Sequence, residues 1–358
     1  MNKNNKKKLT KMLLVSLLTV STLSISLMNV QAQSVIEGTT ISVSTKVDQL
    51  EDIVNANLNQ YFEVGTMRIT KLQEGVFQID EETDTNDSGP TNNCSSMYLL
   101  LAENSATLID AGNGSLNSNF SNEDLKVILD TLANSDDFKI ILTHYHGDHV
   151  GLLTDENSII DHNTPVYIHE NDLNSLSDVV KTNYPVITYK QGDILSASGF
   201  NLQVIDIPGH TDGSNALIDY DKEVIFSGDA IGSGTIWMFG ENNLVEFDNG
   251  INNLVNAIKD MDNPVFYCGH RWQQAKPDAH ATENLAVGEI GKNYVYEMDA
   301  LVSSIMDGDY EVNESYTPSP SNYGVYSFDD DLNNDGIIPG IVLPQAAIER
   351  FQLQNPIL

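Results

Sequence analysis

The chain has 358 residues, 41% of them hydrophobic, which suits one large α/β domain with a full core and excludes global disorder. Eighteen basic residues face 51 acidic ones, a formal net charge of −33. A field of that sign repels phosphate backbones and anionic lipid, so nucleic acid is excluded as a natural partner.

Lys3, Lys6, Lys7, Lys8 and Lys11 form a basic head, and Met12 to Met28 is an uncharged apolar run. Val30-Gln31-Ala32 then places small residues where a signal peptidase reads. The order predicts a signal peptide over residues 1–32, cut after Ala32, and a secreted protein without stable membrane association. The apolar run is marginal for the ~20 residues of a membrane span. Cleavage removes five lysines and no acid, taking the charge from −33 to −38.

Residues 33–65 read as an amino-terminal extension, with helical spacing over Val47–Val54. A domain is expected over 66–310. It opens with strands at Met67–Leu72, Gly75–Ile79, Met97–Leu101 and Thr107–Ile109, interrupted by an acidic loop over Glu81–Asn93. Asn122–Leu132 has a helical apolar face with Asn122 as its cap. Strands follow at Lys139–Leu142, Val166–Ile168, Leu202–Ile207, Ala216–Tyr220, Val224–Phe226 and Val265–Tyr267. Helices are expected at Asn171–Val180, Ile251–Met261 and within Ala281–Met306. Interleaved strands and helices imply a layered α/β (α+β) fold. The tail, 311–358, is expected to pack on the domain. Its Asp331–Gly336 stretch matches half of a calcium loop, but Val342 stands where the twelfth-position acid belongs, so an acidic surface turn is the better reading.

The chemistry concentrates in Ile141-Leu142-Thr143-His144-Tyr145-His146-Gly147-Asp148-His149. An apolar strand ends and delivers four potential ligands within six residues. Alternating His144 and His146 can point the same way from an extended segment. Mixed imidazole and carboxylate donors suit zinc and similar metals such as iron or manganese. Three further strands end in Gly followed by one donor: His210 after Ile205–Gly209, Asp229 after Val224–Gly228, and His270 after Val265–Gly269. Donors at neighbouring strand ends converge on one rim. His162, His169 and His280 read as surface or structural. Cys94 and Cys268 would pair in an exported protein or remain buried thiols.

This ordered set resembles the metallo-β-lactamase superfamily, whose signature is His-x-His-x-Asp-His followed by a spaced His, Asp and His. The resemblance spans about Thr66 to Arg271 and implies a four-layer αββα sandwich. It implies two zinc ions: His144, His146 and His210 on the first, Asp148, His149 and His270 on the second, Asp229 bridging. Asp110 matches a position that orients the ligand loop. Two cations about 3.5–4 Å apart can share a water and lower its pKa towards about 7. The resulting hydroxide would attack a small ester, lactone or phosphodiester, with Asp148 the proton carrier to the leaving group. True β-lactamases of the superfamily generally lack the aspartate found here as Asp229, so β-lactam hydrolysis is an alternative only. Glyoxalase II and the lactonases are the nearer pattern, although a glyoxalase II role suits an exported protein poorly. A metal-binding protein without turnover is the rival from another class. Trp237 and Phe239, close after Asp229, and Tyr145 are the candidate substrate contacts; Trp272 also flanks a ligand.

Overall fold

The computed structural model describes residues 38–41, 50–81, 95–116, 120–133, 135–232, 235–240, 243–270, 290–308, 323–328, 339–344 and 346–347. The signal-peptide segment, Cys94, Trp272, His280 and Asp331–Gly336 lie outside them. Nine strands cross the first sheet in chain order: Gly38–Ile41 (β1), Tyr61–Val64 (β2), Met67–Gln73 (β3), Val76–Glu81 (β4), Ser96–Ala102 (β5), Ser105–Ile109 (β6), Asp137–Ile141 (β7), Val166–His169 (β8) and Val186–Tyr189 (β9). From β2 to β6 neighbours are antiparallel, with short turns at β2–β3, β3–β4 and β5–β6; from β6 to β9 they are parallel. Parallel neighbours need a crossover. Helices Asn122–Leu132 (α1), Gly147–Thr154 (α2) and Asp178–Asn183 (α3) occupy those crossovers.

The second sheet contains Ile194–Ala197 (β10), Phe200–Asp206 (β11), Asn215–Asp219 (β12), Val224–Gly228 (β13) and Val265–Cys268 (β15), with β15 parallel to β13. Its crossover holds Thr235–Trp237 (β14) and the helix Asn243–Ile258 (α4). The chain then forms Lys292–Asp307 (α5), Tyr323–Ser327 (β16) and Gly340–Pro344 (β17), and a small third sheet runs β14-β17-β16.

Side-chain alternation turns these sheets into layers. On β5, Met97 and Leu99 face one core and Tyr98 and Leu100 another; on β13, Ile225 and the Val224/Phe226 pair divide likewise. One core joins the first sheet to Leu125, Ile128 and Leu129 of α1, Val150, Leu152 and Leu153 of α2, and Val180 of α3. A middle core lies between the sheets, built from Leu100, Ile109, Ile141, Leu202, Val204, Phe226 and others. The third joins the second sheet to α4, α5 and β17. The order is helix, sheet, sheet, helix, the expected αββα sandwich.

Several local expectations are corrected. Within residues 33–65, expected as an extension, the described β1 and β2 belong to the first sheet, and Leu50 and Ile53 are fully buried in its outer core. The 65/66 boundary falls inside the β2–β3 hairpin turn, where Thr66 N donates to Asp124 Oδ2 at 3.0 Å. Ser121, not Asn122, caps α1, accepting from Asp124 N, while the Asn122 amide donates to Asp155 Oδ2. The helix expected from Asn171 begins at Asp178, because the preceding residues are held as turns around the buried Asp172. Helix α4 starts eight residues earlier than Ile251, continuing the same apolar face through Leu244 and Phe247.

Phe226 is fully buried, its ring 5.4 Å from Tyr98 and 5.3 Å from Tyr267. Phe226→Ala should therefore cost about 3–5 kcal/mol, read as a lowered urea midpoint with an unchanged slope.

Candidate metal centre

Strand β7 ends in the buried Ile140-Ile141-Leu142, and an extended stretch carries His144 and His146 to the start of α2. His146 stands at the N-cap with extended backbone, and its carbonyl accepts from His149 N and Val150 N. Asp148 and His149 thus project from the helix's first turn. His210 follows β11, Asp229 follows β13 and His270 follows β15, so strand ends from both sheets meet here. The glycine before each ligand has a steric reason where clearance is least. A Cβ on Gly269 would fall 2.1 Å from Asp229 Oδ1, and one on Gly228, at φ +48°, 2.4 Å from Thr143 Oγ1.

The seven predicted ligands fall into two groups, His144/His146/His210 and Asp148/His149/Asp229/His270; within each, the candidate donor atoms lie within 4.8 Å of one another. Asp229 joins the groups: its Oδ2 is 3.4 Å from His210 Nε2 and 3.2 Å from His270 Nε2, and its Oδ1 is 3.5 Å from His149 Nε2. Asp148 Oδ2 lies 3.3 Å from His270 Nε2. His210 Nε2 and His146 Nδ1 approach to 2.7 Å.

The outward ring nitrogens fix the tautomers. His149 Nδ1 donates to Asp110 Oδ2 at 2.9 Å, and His210 Nδ1 donates to the Trp237 carbonyl at 2.8 Å. Thr143 Oγ1 donates to Asp110 Oδ2 at 2.9 Å and therefore accepts from His144 Nδ1 at 3.1 Å. In its neutral form each ring then turns a bare Nε2 inward. His144 Nε2, His149 Nε2 and Asp229 Oδ1 are buried with no hydrogen-bond partner. Buried acceptors without donors are costly, and divalent cations are the group this donor set fits. Asp110 does this at φ +60°, a left-handed conformation rare outside glycine, while also accepting from Thr143 N at 2.7 Å.

Electrostatics separate the two groups. Burial holds His144 well below its ordinary value, with His149 adding to the shift; burial pushes His146 down to about 4 and also lowers His210. Burial works against charge in the second group too, but there the neighbours outweigh it. Asp148 and Asp229 hold His149 well above its usual range, and Asp229 raises His270 to about 10. In return, His270 and His149 keep Asp229 well below the usual carboxylate range, and His149 keeps Asp148 below it.

The remaining predicted site residues are near but differently placed. The Tyr145 ring lies 4.9 Å from His146, and the Phe239 ring 5.7 Å from His146 and 5.6 Å from His210. Trp237 contributes its carbonyl to His210, and its ring stacks 6.3 Å from Phe239. Cys268 is buried in the outer core beside Gly232, outside both groups. His162 packs against Tyr184, and His169 is buried with its Nε2 3.0 Å from Asp206 Oδ1.

Sequence reading missed the polar clamp behind His210. Asp172 is 1% exposed and accepts from Thr211 Oγ1 at 2.9 Å and Gly213 N at 2.8 Å. Asn215 donates to the Thr143 carbonyl at 3.0 Å, tying the second sheet to the His144 segment. The polar run Thr211–Asn215 directly after a ligand was the available signal.

The family profile described as the metallo-beta-lactamase superfamily matches residues 91–270, half of the chain and all seven ligands. The chain belongs to the metallo-beta-lactamase superfamily. It is similar to a probable metallo-hydrolase, YqgX, of Bacillus subtilis, 33% identical over 109 residues, 27% of this chain and 51% of that one. It is also similar to hydroxyacylglutathione hydrolases of Hydrogenovibrio crunogenus (31% over 140 residues, 38% and 46% of the two chains) and Aeromonas hydrophila (26% over 229 residues, 61% and 80%). The chain thus spans about half the length of the first two. Among solved structures, a beta-lactamase domain protein from Burkholderia ambifaria aligns with TM-score 0.49 and 15% identity, over 68% of this chain and 79% of that one.

Two outcomes follow for this superfamily site. Metal ligation needs neutral imidazoles and ionised carboxylates. At pH 7.5 the first group is already neutral, whereas His149 and His270 are protonated, so loading both groups should release about two protons. Calorimetry in buffers of different ionisation enthalpy reads that number. Asp172→Ala should weaken metal affinity about 10–100-fold at the His210 group, measured by competition with a chromophoric chelator, with the weaker effect at the other group.

Proposed function

We propose that this chain is an exported dinuclear zinc hydrolase acting on a small-molecule ester, lactone or phosphodiester. The observation that carries the reading is the position of Asp229 between the two groups, beside the buried His144 Nε2 and His149 Nε2, which, like Asp229 Oδ1, have no hydrogen-bond partner. His144, His146 and His210 would hold one ion, Asp148, His149 and His270 the other, and Asp229 both. Imidazole and carboxylate donors suit zinc, with iron or manganese as the alternatives. When bound, such ions supply a water acidified to near neutrality and polarise the electrophile's oxygen.

The chain's own residues account for the rest. Asp148, a carboxylate beside His270, would take a proton from the attacking water and pass it to the leaving group. Asp110 and the Trp237 carbonyl keep His149 and His210 in the tautomers ligation requires. Phe239, Trp237 and Tyr145 flank the first group and would meet the substrate. The similar proteins named hydrolases favour bond cleavage over passive metal storage. The basic, apolar, small-residue order of residues 1–32 supports export. No helix among the described residues is long and apolar enough to cross a membrane.

The test uses zinc-loaded protein against a panel of esters, lactones and phosphodiesters. Chelation should abolish turnover and zinc restore it, and Asp148→Asn should lower kcat by about 10²–10⁴-fold. Protein that carries two zinc ions per chain and hydrolyses nothing in the panel would sink the hydrolase reading.

A further inference from the structure

Phe239 is 50% exposed, unusual for a phenylalanine touching two metal-ligand histidines. Trp237 lies nearly parallel to it, at an interplanar angle of 23°, and leans in turn on Tyr323, 6.2 Å away. Leu116 is 66% exposed and overlies the start of α2: a Cβ on Gly147 would meet its Cδ1 at 2.8 Å. Gly147 sits between the ligands His146 and Asp148, and Tyr145 packs on His146 from the same segment. The ligands are therefore flanked by Leu116, Tyr145, Trp237 and Phe239. None of these carries a cation, and the whole chain is strongly acidic.

The aromatic side of this rim is braced on two sides. Strand β14 runs parallel to β17, pairing Thr235 with Gly340, Ile236 with Ile341 and Trp237 with Val342. Met238 N extends the pairing by donating to the Val342 carbonyl at 2.9 Å. Ile341, Val342 and Leu343 are fully buried, which anchors β17 in the outer core. On the other side, the Trp237 carbonyl holds His210. A backbone fixed between a buried strand and His210 lowers the ordering cost of presenting these rings on binding.

We propose that Phe239 and Trp237, braced by the C-terminal strand β17, form a rigid apolar wall that selects substrates carrying an aryl or similarly large apolar group beside the scissile bond. The inference rests on the hydrolytic reading above and narrows it to substrates that carry such a group.

The test is calorimetric binding of phenylacetate and acetate to the zinc-loaded full chain. Both present one carboxylate to the metals and differ only in the ring. Phenylacetate should bind at least about ten-fold more tightly, Phe239→Ala should bring the two within about two- to three-fold, and Phe239→Leu should fall between, as expected for discrimination by one apolar group. Equal affinities in the unaltered protein, or a phenylacetate advantage that Phe239→Ala leaves intact, would overturn the wall. Turnover of ethyl phenylacetate by the same preparation separates the two readings. Selective binding without turnover upholds the wall and removes the hydrolytic assignment.

Discussion

Asp229 is a carboxylate taken out of water and placed among three imidazoles, His149, His210 and His270, each within 3.5 Å. An ion in that position costs several kcal/mol in desolvation unless opposite charge repays it. Without metal, the protons on His149 and His270 are what repay it, which is why those rings are drawn up while the three of the first group stay neutral. With metal, cations take over that part and the protons leave. The site is therefore a set of carboxylate and imidazole donors arranged as divalent cations require. The architecture serves to hold those atoms against their mutual repulsion.

The holding is done by backbone and by residues one step removed. Four strand ends from two sheets deliver the ligands, so their separation is set by sheet packing and not by loop conformation. Gly228 and Gly269 allow the approach because any Cβ would collide with Thr143 or Asp229. Asp110 accepts a left-handed backbone, a strain of about 1–3 kcal/mol. That geometry lets one carboxylate reach Thr143 N, Thr143 Oγ1 and His149 Nδ1 together. Asp172 performs the equivalent task for the His210 turn from a different crossover. Strain and buried polar groups accumulate around the ligands while three apolar cores carry the stability, a division that lets the site be costly without unfolding the domain.

What could be read from the sequence follows the range of the interactions. The His144–His149 cluster was legible because its ligands are local, and the strand–Gly–donor pattern exposed His210, Asp229 and His270 one at a time. Strands with alternating apolar residues, such as β5 and β13, were placed to within two residues for the same reason. Asp172 was not legible, since its partners lie 39 and 41 residues away and nothing in its own neighbourhood marks it as buried. The helix expected over Asn171–Val180 failed at that point, as a tertiary hydrogen bond overrode local propensity. Two short strands at the start of the first sheet were not legible either. Tyr61–Val64 and Gly38–Ile41 offer four residues each, too few to show a period before their partners are known.

The stretch matched to the superfamily ends at His270, the last ligand, yet the described site does not end there. Strand β17 pairs with β14 across a separation of about a hundred residues and fixes the segment from which Trp237 holds His210. The β16 residue Tyr323 backs the Trp237 ring. The candidate ligands thus lie within the shared portion, whereas the surface beside them is built in part by the chain that follows. Because β17 reaches His210 through β14 and the Trp237 carbonyl, changes in the third sheet can reshape the rim while the candidate ligand set stays constant. A fold that keeps its candidate ligands on strand ends and the aromatic rim on an appended sheet lets the one vary without the other.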